Sequence, residues 1–158
     1  KPVAFVPIHG QEEVDGDSGS RSNMDEAALL VRLLQDIFDT GELRPIDVGV
    51  ITPYIAQVRL LRDISNDEWV EEGLEIRSVD GYQGREKELI LFSAVRSNNR
   101  GEVGFLSDRR RLNVAITRPR RGLVVIGDPR CLGHDSDWAS WLEWVSDQGL
   151  QAHHLLHG

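Results

Sequence analysis

The sequence predicts an α/β fold, doubly wound, with helices on both faces of a mainly parallel sheet. Three observations lead there. Runs such as Val48 to Ile51 and Leu123 to Ile126 are apolar throughout and of strand length, so they read as strands buried on both faces. Between such runs lie segments with apolar residues at helical spacing. The two patterns alternate along the chain, as crossover connections in a parallel sheet require.

The elements follow in order. Val3 to Ile8 reads as a first strand, and the acidic, Gly/Ser-rich stretch from Gln11 to Ser22 as a loop. Asn23 is placed to cap a helix, and Glu26, three residues on, completes a capping-box pattern. That helix carries Ala27, Leu30, Leu33, Leu34, Ile37 and Phe38 on one face and stops at Thr40-Gly41, where glycine suits the cap. Val48 to Thr52 is a buried strand, and Pro53-Tyr54 turns into a helix through Ile64. Ser65 to Gly73 is polar and reads as a surface loop. Glu75 to Val79 and Leu89 to Val95 are strands, Asn98 to Gly104 a polar loop, Arg110 to Thr117 a helix, and Leu123 to Gly127 a last buried strand. In the closing helix, Trp138 to Gln148, the residues Trp138, Trp141, Leu142 and Val145 have amphipathic spacing and read as packing residues.

At 158 residues, with 40% hydrophobic and 28% charged residues, the chain has the size and make-up of one globular domain. No apolar run approaches the about 20 residues that span a bilayer, so no membrane partner is expected. Lys1, in place of methionine, is read as the start of a segment of a longer protein. Cys131, the only cysteine, excludes an internal disulfide and fits a reducing compartment, cytoplasm or nucleus. A net charge of −8 argues against a polyanion partner until its distribution is considered. Arg77 to Arg130 holds 12 of the 18 basic residues and 6 of the 26 acidic ones, a local +6. This asymmetry equips one surface for phosphate, although a solvated basic patch reads the same way. His153, His154 and His157 have no neighbouring acid or cysteine cluster and read as a terminus, not a metal site.

In open α/β sheets ligands collect at the carboxyl ends of strands, which directs attention to three clusters. In Ile51-Thr52-Pro53-Tyr54 a hydroxyl precedes a helix N-terminus, an arrangement that suits an anion and equally a structural cap. Ser78 to Glu86 crowds Ser78, Asp80, Gln83 and Glu86 around Gly81 and Gly84, a polar density that stability alone does not require. Arg109 to Arg121 joins an apolar helix face to six arginines. Charges packed so closely ask for an anion, and the guanidinium fork fits phosphate. Arg109 and Arg120 read as surface charge.

In this order and spacing, ITPY, SVDGYQGREKE and RRLNVAITRPR resemble motifs IV, V and VI of superfamily 1 helicases. The chain is most similar to the regulator-of-nonsense-transcripts family, with senataxin and the immunoglobulin-mu-binding helicase as relatives. GQEE at Gln11, the Asn23-Glu26-Ala27 helix start, VRSN at Val95, GFL at Gly104 and the final tryptophan-bearing helix extend the likeness over nearly the whole chain. The resemblance implies that residues 1–158 form a single C-terminal RecA-like domain of the P-loop NTPase fold. On the same basis Arg118 is the catalytic arginine finger that reaches the γ-phosphate of ATP. Gly84, Glu86 and Gln83 belong beside the nucleotide, and Thr52, Pro53 and Ser78 touch the nucleic-acid backbone. Asp80 and Arg96 couple the two sites, and Asn113 orders the motif VI segment. Two positions depart from the family pattern: Pro119 replaces an alanine, and Arg121 stands where nonsense-transcript members carry tyrosine.

The chain has no Gly-x-x-x-x-Gly-Lys-Ser/Thr segment and no strand-end Asp-Glu pair. The phosphate cradle and the groups that hold Mg²⁺ are therefore expected on a preceding RecA-like domain. The expected protein is an ATP-dependent RNA or DNA helicase, monomeric, acting on a single strand through its phosphates, and inactive as the isolated chain. The alternative is a non-catalytic nucleic-acid-binding module. A free-standing metabolite-binding protein would need a glycine-rich phosphate loop after the first strand, and Gly16 to Ser20 is acidic and lacks lysine.

Overall fold

The computed structural model describes residues 2–82 and 86–151. Strand β1 (Val3–Pro7) is followed by a hairpin, β2 (Glu12–Val14) and β3 (Arg21–Asn23), then α1 (Met24–Asp39) and a 3-10 turn, Pro45–Asp47. Strand β4 (Val48–Thr52) leads into α2 (Ile55–Ile64), α3 (Asp67–Glu71) and β5 (Glu75–Ser78). Strand β6 (Lys87–Ser93), a 3-10 turn (Gly104–Ser107), α4 (Arg109–Thr117), β7 (Pro119–Gly127), α5 (Pro129–Leu132) and α6 (Ser136–Asp147) complete the order. The five long strands form one sheet in the order β1-β7-β6-β4-β5, and every pairing in it is parallel.

Alternate residues of each strand face opposite layers. Val6, Val50, Leu91 and Ile126 pack beneath α1 and α2, against Leu30, Leu34, Val58 and Leu61. Phe5, Phe92, Leu123 and Val125 face the other way, against Ala115, Leu132, Trp138 and Val145. The doubly wound fold follows from burial on both sides. Trp138 lies in that second core, and Trp141 packs against it.

Both sheet edges are covered. Outside β1, the Phe5 amide donates to the carbonyl of Leu150 at 3.0 Å. Outside β5, the Arg62 guanidinium donates to the Ile76 carbonyl at 2.6 Å. Among the described residues no helix is long and apolar enough to cross a membrane.

Several expectations are corrected. The Gln11 to Ser22 loop contains the hairpin β2-β3, whose short polar strands leave no alternating signal. Ser65 to Gly73 is not simply loop: Asn66 caps α3, which buries Trp69 against Phe38. Strand β7 begins at Pro119, because a proline is tolerated at a strand's first residue. The exposed Arg120 and Arg121 disguise that end of the strand. His153, His154 and His157 lie outside the described residues.

The helix cap at Asn23 holds, with its Oδ1 accepting from the Glu26 amide at 3.1 Å. The reciprocal half of the box does not form. The Glu26 side chain turns inward and is fully buried, its Oε1 accepting from Ser93 Oγ and from the Val95 amide, each at 2.9 Å. Burial raises its pKa from 4.5 to about 8, against the pull of those hydrogen bonds and with a smaller push from Asp128. The folded state therefore holds a proton that the unfolded chain releases, so stability falls as pH rises from the ordinary carboxyl range to about 8. Replacing Glu26→Gln should flatten that slope in urea unfolding followed across pH. Glu26→Ala, which strands the Ser93 and Val95 donors, should cost about 3 kcal/mol or more at every pH.

Candidate functional site

Strand β4 continues outward to β5 over one face of the sheet, whereas β6 continues the other way to β7 over the opposite face. The crevice between their carboxyl ends is the switch point where such folds bind ligands. Here the chain's own polar groups fill it. Thr52 is wholly buried and its hydroxyl donates to the Ser93 carbonyl at 2.9 Å. Gln57 Nε2 donates to Ser93 Oγ at 3.1 Å and to the Asn23 carbonyl at 3.0 Å, while its Oε1 accepts from the Asn23 amide at 2.9 Å. The Thr52 side chain therefore ties two strands together and cannot reach a nucleic acid. The α2 N-terminus is also engaged, since Ser20 Oγ of the hairpin accepts from the Ala56 amide at 3.2 Å.

Beyond β6 the chain reverses in a three-residue turn. Val95 has φ 72°, and the Arg96 amide donates to the Ala94 carbonyl at 2.8 Å. A β-branched residue rarely adopts this conformation. Two side chains from the start of α1 hold it: Glu26 takes the Val95 amide, and Asn23 Nδ2 donates to its carbonyl at 2.9 Å. The turn sends Arg96 inward, where Nε meets Glu12 Oε1 at 3.0 Å and Nη1 donates to the Tyr54 hydroxyl at 3.1 Å. Burial opposes its charge, and the Tyr54 and Glu12 hydrogen bonds outweigh that and raise its pKa. Gly104 fits against this pair, since a Cβ there would collide with Arg96 Nη1 and the Tyr54 hydroxyl. Arg96 thus clamps β2, α2 and the loop after β6. Pro53 and Ser78 are half-buried at the same edge, and Ser78 Oγ accepts from the Gly81 amide at 3.0 Å.

From β5 the chain turns back across the sheet, burying Val79 and Tyr82 in the layer beneath α4. Gly49 permits the crossing, because a Cβ there would stand 3.0 Å from the Tyr82 hydroxyl. Asp80 remains exposed and pairs with Arg111 at 3.4 Å. The crossing delivers Glu86 to the opposite edge, the amino ends of β6 and β7. There the Lys87 amide donates to the Arg118 carbonyl at 3.1 Å. The carboxyl-end rule thus locates Thr52 and Ser78 but not Glu86 and Arg118. Gln83 and Gly84 lie outside the described residues.

Arg118 caps α4 with φ −82° and ψ −32°, a conformation the following proline disfavours. The side chain is half-buried, and its Nε is shielded from solvent without a hydrogen-bond partner among the described residues. The other arginines of this segment are largely neutralised from within. Arg109 binds Asp137 at 2.6 Å, Arg111 lies between Asp80 and Asp108, Arg120 contacts Glu86 at 3.3 Å, and Arg121 meets Glu88 at 2.8 Å. Arg109 and Arg120 read as surface charge, and the expectation of an anion for the rest of the cluster is narrowed to Arg118 and the exposed Arg110, neither of which has an ion pair among the described residues. Asn113 is exposed, and its side chain forms no hydrogen bond among the described residues. A shielded guanidinium donor without an acceptor costs about 1–3 kcal/mol, which an incoming anion would recover.

The duties of three participants were not legible beforehand: Glu12 and Ser20 sit in the hairpin read as loop, and Tyr54, although inside ITPY, was read only as part of the turn into a helix. Only GQEE, quoted for its likeness to a family, marked Glu12. The clamp makes a testable claim: Arg96→Ala should destabilise the fold by about 1–3 kcal/mol by removing the buried guanidinium that joins Glu12 to Tyr54, although Arg21 still pairs with Glu12 at 3.2 Å. Arg96→Lys should fail to restore it, because one ammonium cannot serve Glu12 and Tyr54 with a fork's geometry. Urea unfolding measures both.

Residues 1–130 match a family described as AAA domain. The chain is similar to the regulator of nonsense transcripts 1 homolog of Drosophila melanogaster, 38% identical over 153 residues, which cover 94% of this chain and 13% of that protein. It is 44% identical over 162 residues to the DNA polymerase alpha-associated DNA helicase A of Schizosaccharomyces pombe, covering 94% and 24% respectively. Against the ATP-dependent helicase NAM7 of Saccharomyces cerevisiae the identity is 36% over 155 residues, covering 94% and 16%. The chain thus spans less than a quarter of the length of each of these relatives. Taken with the parallel sheet and the three motifs, these matches establish that the chain belongs to the AAA domain family and, within it, to the superfamily 1 helicases of the regulator-of-nonsense-transcripts type.

Proposed function

We propose that residues 1–158 are the second, C-terminal RecA-like motor domain of an ATP-dependent RNA or DNA helicase. In this reading they complete an ATP site whose phosphate loop and Mg²⁺ ligands belong to a preceding RecA-like domain. The observation that carries the reading is Arg118: a guanidinium with a shielded, unmatched Nε, at the sheet's amino edge, next along that edge to Glu86. ATP would supply the γ-phosphoryl group. Arg118 would offset the charge that builds on it during transfer, and Glu86, with Gln83 and Gly84, would border the nucleotide. Relatives named ATP-dependent helicase and DNA helicase support the same reading.

Nucleic acid is the second ligand, a single strand of RNA or DNA gripped by its phosphates at the carboxyl edge near Pro53 and Ser78. Thr52 would act behind that surface, through Ser93. Asp80 would link the two edges through its pairing with Arg111 on α4, and Arg96 would hold the loop after β6 in register with Tyr54. The protein would work as a monomer in the cytoplasm or nucleus.

The isolated chain should hydrolyse no ATP above background. The full protein should do so with stimulation by single-stranded nucleic acid. Arg118→Ala in the full protein should cut turnover by about 10³-fold or more while nucleotide binding persists. Wild-type turnover in that variant, measured by phosphate release, would sink the finger assignment.

A further inference from the structure

Among the described residues at the amino edge of β6 and β7, the acidic side chains are met by arginines other than Arg118. Glu86 contacts Arg120, with Nε to Oε2 at 3.3 Å, and Glu88 contacts Arg121 at 2.8 Å and Arg120 at 3.8 Å. Lys87 is occupied elsewhere, donating to the Ile46 carbonyl at 2.8 Å and pairing with Glu75 at 3.3 Å. Two carboxylates are therefore met by two arginines, and Arg118 is left over. Yet Glu86 and Arg118 are neighbours across the strand pair, joined through the Lys87 amide and the Arg118 carbonyl. Both the Glu86 and Arg120 side chains are more than half exposed, so water and salt screen their pairing.

From this we infer that Arg120 is a positioning residue: by holding the Glu86 carboxylate it keeps Arg118 unpaired and available to the nucleotide. Without Arg120, the Glu86 carboxylate loses its partner, and its neighbour across the strand pair is Arg118, whose shielded Nε has no acceptor among the described residues. A ground-state ion pair between them would have to break each time Arg118 turned to the phosphate. The cost would fall on the chemical step and not on nucleic-acid binding. In the sequence Arg120 closes the RRLNVAITRPR motif and yet reads as plain surface charge; the pairing geometry gives it a specific partner. Glu88 does not substitute, because Arg121 engages it at the closer distance.

The inference rests on the proposed role of Arg118, and the experiment separates the two. In the full protein, kcat and the KM values for ATP and for single-stranded nucleic acid are measured for Arg118→Ala, Arg120→Ala, Arg120→Lys, Glu86→Gln and the double variant Glu86→Gln/Arg120→Ala. Arg120→Ala should lower kcat about two- to fivefold, the range a screened ion pair commands, with KM for nucleic acid unchanged. Arg120→Lys should recover most of the loss. In the Glu86→Gln background, where no carboxylate remains to capture Arg118, Arg120→Ala should have no further effect on kcat. An equal fall in both backgrounds, or no fall with Glu86 present, would overturn the role of Arg120 while leaving Arg118 untouched. Normal turnover of Arg118→Ala would instead remove the reading beneath it. Because Arg120 is exposed, an unchanged urea midpoint in Arg120→Ala would show that any kinetic effect is not one of folding.

Discussion

The carboxyl group of Glu26 is the point on which the rest of this structure turns. It is fully buried where the strand order reverses, and it accepts hydrogen bonds from Ser93 and from the Val95 amide. A left-handed valine costs about 1–3 kcal/mol unless its surroundings enforce it, and here both of its backbone polar groups are taken by side chains at the start of α1. From that anchored turn follow the inward course of Arg96, its clamp on Glu12 and Tyr54, and the closure of the crevice by Thr52 and Gln57. A satisfied polar network of this kind specifies one arrangement more sharply than an apolar core does.

The sheet then separates two tasks by its own length. Strand β6 runs the seven residues from Lys87 to Ser93, about 20 Å of extended chain. Its first residue is bonded to Arg118 and its last is held by Thr52, Gln57 and Glu26. Whatever acts at the amino edge is thus connected to the carboxyl edge by one strand. Proline at position 119 leaves the helical conformation of Arg118 intact despite its preference against it, because α4 and the Lys87 contact hold the residue from both sides.

Much of the fold was legible in the sequence because burial on both faces writes itself as unbroken apolar runs. Val48 to Ile51 and Leu123 to Ile126 announce parallel strands directly. The site was legible more unevenly. Arg118 and Glu86 were marked by their resemblance to family motifs, and their position at the amino edge was not, since the carboxyl-end rule cannot foresee a segment that doubles back under α4. The strand-tying duty of Thr52 was not marked, because a hydroxyl at a strand end looks the same whether it faces a ligand or a neighbouring strand. Glu26 was read as a local cap. Its partners Ser93 and Val95 stand nearly seventy residues away, a separation that no local pattern expresses. Hairpin β2-β3 went unread because short polar strands have no hydrophobic period.

The two covered margins of the sheet bear on how such a domain survives in a crowded solution. An open strand edge is a template for pairing with another chain, and a five-stranded parallel sheet has two. Here Leu150 occupies the backbone of β1, and a guanidinium from α2 takes a carbonyl of β5. On each flank one backbone group is thus already engaged by the domain's own atoms and withdrawn from pairing with a second chain.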